Sequence, residues 1–122
     1  MLELQKFSVF VTGTDTGVGK TLVSAALLHA LARHYPRVVG MKPVAAGTTL
    51  VDGVQANDDV LALRAVSNCP VPPELDNPVL LPDPLSPHIA AARAGVEISI
   101  AHLVACQQQL LAHADAVVVE GA

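Results

Sequence analysis

Phe7-Ser8-Val9-Phe10-Val11-Thr12-Gly13-Thr14-Asp15-Thr16-Gly17-Val18-Gly19-Lys20-Thr21 is the stretch that decides the fold of this chain. Phe7 to Val11 is a short β-branched and aromatic run that ends at Gly13, as a buried strand entering a turn does. From about Lys20, the residues Leu22, Val23, Ala26, Leu27, Ala30 and Leu31 fall on one stripe at helical spacing, and Pro36 closes the segment. The pattern predicts a helix of roughly fourteen residues. Between strand and helix, a glycine-rich turn stands where a phosphate-binding loop belongs. Its glycines let backbone N–H groups turn inward around phosphates, and the helix N-terminus adds partial positive charge. Lys20 is placed to meet the β/γ-phosphates and Thr21 to ligate magnesium. Five residues separate Gly13 from Gly19, one more than in the general loop pattern. The competing reading, a plain strand-to-helix turn with an exposed lysine, does not account for Gly19-Lys20-Thr21 in this context.

Working outward, Arg37 to Met41 reads as a second strand cut off by Pro43, and Ala45 to Gly53 as a loop rich in glycine and threonine. Asn57 or Asp58 can cap a short helix carrying Val60, Leu61, Leu63 and Val66. Prolines at 70, 72, 73, 78, 82, 84 and 87 exclude regular structure from most of Cys69 to Ser86, leaving a surface crossover that packs through Val79, Leu80 and Leu81. Ser86-Pro87 has the chemistry of a helix start. A longer helix follows, with Ile100, Leu103, Val104, Leu110 and Leu111 on one side and Gln107 to Gln109 largely outside. Ala116 to Val119 is a buried strand ending at Glu120-Gly121. The alternation predicts an α/β fold of the P-loop type, a parallel sheet with flanking helices, with residues 1–122 as one nucleotide-binding domain. Only three strands are visible, and the last ends where such a sheet opens a loop at its functional edge. The expectation is therefore an incomplete domain, inactive by itself.

Composition narrows the function classes. Hydrophobic residues make up 52% of the 122 and charged ones 15%, which fits strands buried on both faces and not a disordered chain. A net charge of −4 argues against a large nucleic-acid footprint, and Phe7, Phe10 and Tyr35 offer no platform for stacking bases. Val23 to Ala32 is interrupted by His29 and is far shorter than the roughly 20 residues of a membrane span. No signal-peptide pattern precedes Gly13, so a cytoplasmic location is expected. Cys69 and Cys106 lack metal-ligand spacing and read as free thiols serving as small buried hydrophobes.

Three further residues carry chemistry. Glu120 ends an apolar strand, so its carboxylate reaches the carboxyl edge of a parallel sheet, where the phosphate loop also lies. Asp59, at a helix start, is a second candidate magnesium ligand; its ordinary alternative is capping and dipole neutralisation, shared with Asp58. Lys42 ends the second strand and aims at the same edge, where an ammonium can bind an anionic group and stabilise charge in phosphoryl transfer. Without that context it would be a solvated strand end. His88 and the remaining histidines show no triad or metal spacing and read as surface groups.

In order and spacing, Val11 to Thr16 through Thr21, Gly40-Met41-Lys42-Pro43-Val44, Asn57-Asp58-Asp59-Val60-Leu61-Ala62-Leu63, Ser86-Pro87-His88 and Val119-Glu120-Gly121-Ala122 resemble dethiobiotin synthetase. The likeness runs over nearly the whole chain, which corresponds to about the first half of a family member. It implies closure of a ureido ring on 7,8-diaminononanoate with carbon dioxide, ATP and magnesium. Carried over, Gly17, Val18, Gly19, Lys20, Thr21 and Leu22 wrap the phosphates. Thr21, Asp59 and Glu120 hold magnesium, while Asp59 and Glu120 to Ala122 border ATP. Lys20 and Lys42 become catalytic, with Lys42 holding a substrate carbamate, and a homodimer is implied. Two departures stand out: Gly17, where some members are acidic, and Ala46, where a hydroxyl is common. A partitioning-type ATPase switch is the alternative by fold, but it carries a lysine where Asp15 stands and lacks the Lys-Pro-Val and Ser-Pro-His segments. A nucleotide-binding fragment without turnover is another.

Overall fold

The computed structural model describes residues 5–13 and 19–122. In chain order the elements are β1 (Phe7–Val11), α1 (Gly19–Leu31), β2 (Val38–Met41), β3 (Val44–Ala46), β4 (Thr49–Val51), β5 (Val54–Ala56), α2 (Asp58–Val66), α3 (Pro73–Asp76), β6 (Val79–Leu81), α4 (Pro87–Ala94), α5 (Ile100–His113) and β7 (Ala116–Glu120). The main sheet is parallel with order β1-β7-β2. Val11 is in register with Glu120, and Met41 with Val119, so β1, β2 and β7 end together at one carboxyl edge. That shared edge is what later brings separate motifs into one site.

The central strand β7 is buried along its whole length, and its side chains alternate between two cores. Val117 and Val119 join Val39, Met41, Leu75, Cys106 and Leu110 on one face. Ala116 and Val118 join Val38, Leu28 and Leu63 on the other, so α1 and α2 cover one face while α3 and α5 cover the opposite one. Gly40 lets the helices come this close. A Cβ there would lie 2.9 Å from Leu28 Cδ1 and 3.0 Å from Leu63 Cβ. The outer edge of β2 is closed by side chains after α2: Val38 N–H donates to Asn68 Oδ1 at 2.7 Å and Gly40 N–H to Ser67 Oγ at 2.9 Å. These bonds satisfy backbone groups that an open sheet edge would expose.

Several sequence expectations need correction. The stretch expected as a loop, Ala45 to Gly53, takes in most of β3 and the first strand and turn of a β4-β5 hairpin, the turn being Asp52-Gly53 with φ of 51° and 79°. Asp-Gly between apolar residues is a strong hairpin signal, because both turn positions need positive φ. The proline-rich crossover likewise contains α3, which starts on Pro73, and β6, which pairs in parallel with β3. Proline suits the first helical turn, where no donor is needed, and β6 has no proline of its own. The three visible strands are thus joined by four short ones. The long helix expected after Ser86 is two helices, because Gly95 adopts a left-handed conformation with φ of 69° and terminates α4. Ser86 sits at the N-cap position, but its side chain makes no capping bond.

The stripe expected on α1 is also displaced. Leu22 and Val23 are exposed, and the buried positions are Thr21, Ser24 and Leu28, with Leu27 and Leu31 partly buried. The helix is apolar nearly all round, so apolar spacing did not single out the face that meets the sheet. On α5, Ile100 and Val104 face outward, and the core positions are Cys106 and Leu110 with Leu103 beside a neighbouring cluster. Among the described residues no helix is long and apolar enough to cross a membrane. Cys106 is buried and Cys69 partly so, both free, with burial pushing the Cys106 thiol pKa up.

Candidate functional site

Residues from four separate segments meet at the carboxyl edge of the main sheet. Thr21 lies in the first turn of α1, buried, and its hydroxyl donates to Glu120 Oε1 at 2.7 Å. Glu120 ends β7 and is completely buried. Among the described residues its Oε2 has no hydrogen-bond partner, although Lys42 Nζ lies 3.5 Å away. That contact is charge-to-charge, without hydrogen-bond geometry. Lys42, one residue beyond β2, also lies 3.1 Å from Asp59 Oδ2, in the first turn of α2. Lys20 Nζ approaches the Gly121 carbonyl at 3.4 Å, and Lys42 Nζ approaches the same oxygen at 3.5 Å. Two ammonium groups therefore flank one strand end.

Burial and hydrogen bonding describe how Asp59 and Lys42 are placed. Asn57 caps α2, its Oδ1 accepting from Asp59 N–H at 3.0 Å and Val60 N–H at 3.1 Å. Asp59 is thereby left with a carboxylate turned to Lys42 and not to its own helix end. Lys42 is buried, so it is not a solvated strand end. Asn57 also donates to the Gly47 carbonyl at 2.8 Å, tying the start of α2 to the end of β3.

An open cavity of about 540 Å³ lies over this edge, lined by Lys20, Lys42, Asp59 and Ala122 on the sheet side. Ala46 and the segment Pro84 to Pro87 also line it. Sequence reasoning missed Pro84 and Leu85 as part of the site. Gly47, at φ of 99°, packs against Pro84 so closely that a Cβ would meet Pro84 Cβ at 3.1 Å, and this contact brings the proline-rich segment over the cavity. The positive-φ glycine was the signal, but its partner lies far away in sequence.

Residues 8–122 match the AAA-domain family. The chain belongs to that family. It is also 52% identical over 112 residues to the ATP-dependent dethiobiotin synthetase BioD of Xylella fastidiosa (strain 9a5c). That match covers 92% of this chain and 50% of the relative, so the chain spans about half the length of the curated relative it matches.

Of the site residues expected from sequence, the fold brings Lys20, Thr21, Lys42, Asp59, Glu120, Gly121 and Ala122 together at one edge. Gly19 begins α1, and a Cβ there would meet no atom of the described residues within 4 Å. Gly17 and Val18 lie outside the described residues. Leu22 does not join the cavity; its side chain is 71% exposed. Its position on the turn after Thr21 carries the side chain away from the sheet, so any role at the site falls to its backbone N–H. His88 is exposed and likewise stands outside the cavity lining.

The donor set fits magnesium. It offers a hydroxyl, a buried carboxylate with one oxygen free of hydrogen bonds, and a second carboxylate sharing Lys42 with the first. Among the described residues no group of three or more His, Cys, Asp or Glu could hold a metal. Magnesium does not require one, since it is commonly held by one or two carboxylates together with waters and substrate phosphates.

Proposed function

We propose that this chain supplies the phosphate- and magnesium-binding part of an ATP-dependent dethiobiotin synthetase site, with residues 1–122 forming the N-terminal part of one nucleotide-binding domain. The observation that carries the reading is the convergence of Lys20, Thr21, Lys42, Asp59 and Glu120 on one sheet edge, with Glu120 Oε2 free of hydrogen bonds among the described residues. The identity to the Xylella fastidiosa enzyme directs it to that reaction. Gly17 to Leu22 would wrap the ATP phosphates, with Lys20 on the β/γ side. Thr21, Asp59 and Glu120 would hold magnesium, which neutralises phosphate charge when bound.

Lys42 is assigned to the substrate side. Carbon dioxide adds to one amine of 7,8-diaminononanoate, and the resulting carbamate carries negative charge that a buried ammonium can hold. A carbamate oxygen then attacks the γ-phosphorus and ADP leaves, giving a carbamic-phosphoric anhydride. The second amine attacks its carbonyl carbon, phosphate departs and the ureido ring closes. Lys42 and Lys20 would hold the reactants in line, and positioning plus charge stabilisation supplies most of the catalysis in phosphoryl transfer. The family resemblance supports a cytoplasmic homodimer, with no role for nucleic acid or membrane.

Titration calorimetry of the chain with magnesium ATP tests the nucleotide part. Lys20→Ala should weaken binding by at least about tenfold, since it removes the charge assigned to the β/γ-phosphates. Equal affinities would take Lys20 out of the site. For the reaction itself, residues 8–122 can replace the matching stretch of the Xylella fastidiosa relative. Lys42→Ala in that chimera should abolish dethiobiotin formation while sparing ATP binding, and loss of ATP binding alone would contradict its assignment to the carbamate.

A further inference from the structure

We infer that Asn77 and the Arg64–Asp76 pair are positioning residues for Lys42; this rests on the reading of Lys42 above. Lys42 stands where the main sheet no longer holds the chain, because the β2-β7 register ends at Met41 opposite Val119. Its peptide groups are held from elsewhere. The Lys42 N–H donates to the Asp76 carbonyl at 2.8 Å, and its own carbonyl accepts from Asn77 Nδ2, also at 2.8 Å. The same amide donates to the Val79 carbonyl at 3.2 Å, and Val79 N–H donates to the Pro43 carbonyl at 3.0 Å. The short stretch from Asp76 to Val79 thus clamps the backbone on both sides of the Lys42 Cα.

That stretch needs an anchor of its own. α3 has only four residues, too short to hold itself by helical hydrogen bonds. Asp76 is buried, and both of its carboxylate oxygens accept from Arg64, at 2.9 and 2.7 Å. The planar guanidinium makes the pair directional, so it fixes orientation as well as distance. Hydrogen bonding to Asp76 raises the Arg64 pKa above its ordinary value, in keeping with a pair made in the folded chain. Arg64 lies on α2, the helix whose first turn also carries Asp59, the partner of the Lys42 ammonium. One helix therefore grips Lys42 at both ends, the ammonium through Asp59 and the backbone through Arg64, Asp76 and Asn77. A lysine side chain is flexible, so where its ammonium rests among Asp59, Glu120 and the Gly121 carbonyl depends on where its Cα is held.

The chain has three lysines, Lys6, Lys20 and Lys42, which makes each one separable by competitive labelling with acetic anhydride and mass spectrometry. Lys6 is exposed and serves as the internal standard, whereas Lys42 is buried. In Asn77→Leu and in Arg64→Met, the labelling rate of Lys42 relative to Lys6 should rise at least about tenfold, because a freed backbone lets the ammonium reach solvent. A stability-matched core variant, Val117→Ala, should leave Lys42 protected. Wild-type protection of Lys42 in both positioning variants would overturn the inference, as would equal deprotection in Val117→Ala. Asn77→Leu keeps the Arg64–Asp76 pair and decides the case alone if Arg64→Met does not fold. The labelling is done without nucleotide. A separate run with magnesium ATP reads the site assignment: failure to protect Lys20 would sink the nucleotide reading and leave the positioning result standing.

Discussion

Lys42→Met should destabilise the chain, and magnesium should then restore part of what is lost. In the wild-type chain the Lys42 ammonium lies 3.1 Å from Asp59 Oδ2 and 3.5 Å from Glu120 Oε2. The two contacts differ in value. Asp59 is 39% exposed, so solvent screens it and its share is under about 1 kcal/mol. Glu120 is completely buried, and removing one partner of a buried ion pair typically costs about 3–5 kcal/mol because the remaining charge is uncompensated. The hydrogen bond from Thr21 at 2.7 Å softens that loss. We expect about 3 kcal/mol, a large share of the roughly 5–15 kcal/mol that holds an ordinary domain together. The assay is urea unfolding at neutral pH, once with EDTA and once with millimolar magnesium. Magnesium should stabilise Lys42→Met more than wild type, since in the variant it meets the same carboxylates without a competing ammonium. A loss under about 1 kcal/mol, with no difference in the magnesium effect, would refute both the energetic weight given to the buried pair and the use of its carboxylates by a metal.

Gly40→Ala should cost about 1–3 kcal/mol, because its Cβ would enter the space of Leu28 and Leu63 in a packed core; thermal unfolding measures this. For Asp115, hydrogen bonding and charge from Arg37 hold its carboxyl pKa below the usual carboxylate range. Its contribution to stability is present above the unfolded-state pKa of about 3.9 and fades as pH falls through the lower folded value. Asp115→Asn should therefore flatten the acid limb of the stability-pH curve while leaving its shape above neutrality unchanged, as followed by denaturant titrations across pH.

The sequence alone determined the parts that local chemistry controls. The β1 strand, the start of α1 and the apolar β7 were legible as elements because strand and helix periods, and the residues that break them, act within a few positions, although β1 is largely exposed where a buried strand was expected. The candidate site residues were legible for a related reason. In a parallel sheet the carboxyl ends of the strands share one edge, so Lys42 after β2, Glu120 at the end of β7 and Lys20 after β1 are neighbours once the alternation is recognised. The Asp52-Gly53 hairpin carried a local signal as well, but the stretch rich in glycine and threonine was read as a loop and the hairpin was missed.

Only the tertiary structure decided which face of each helix is buried and what fixes the site residues in place. On α1, apolar residues surround the axis, so the choice of Thr21, Ser24 and Leu28 over Leu22 and Val23 came from the sheet it packs on. On α2, capping by Asn57 and the turn of Asp59 toward Lys42 depend on where β2 ends relative to that helix. The bidentate Arg64–Asp76 contact and the hold of Asn77 on the Lys42 carbonyl join residues 12 and 35 positions apart, across a proline-rich stretch with no period to read. Hydrogen bonds and ion pairs of this kind form only where packing brings the groups within about 3 Å, and no local pattern encodes that distance.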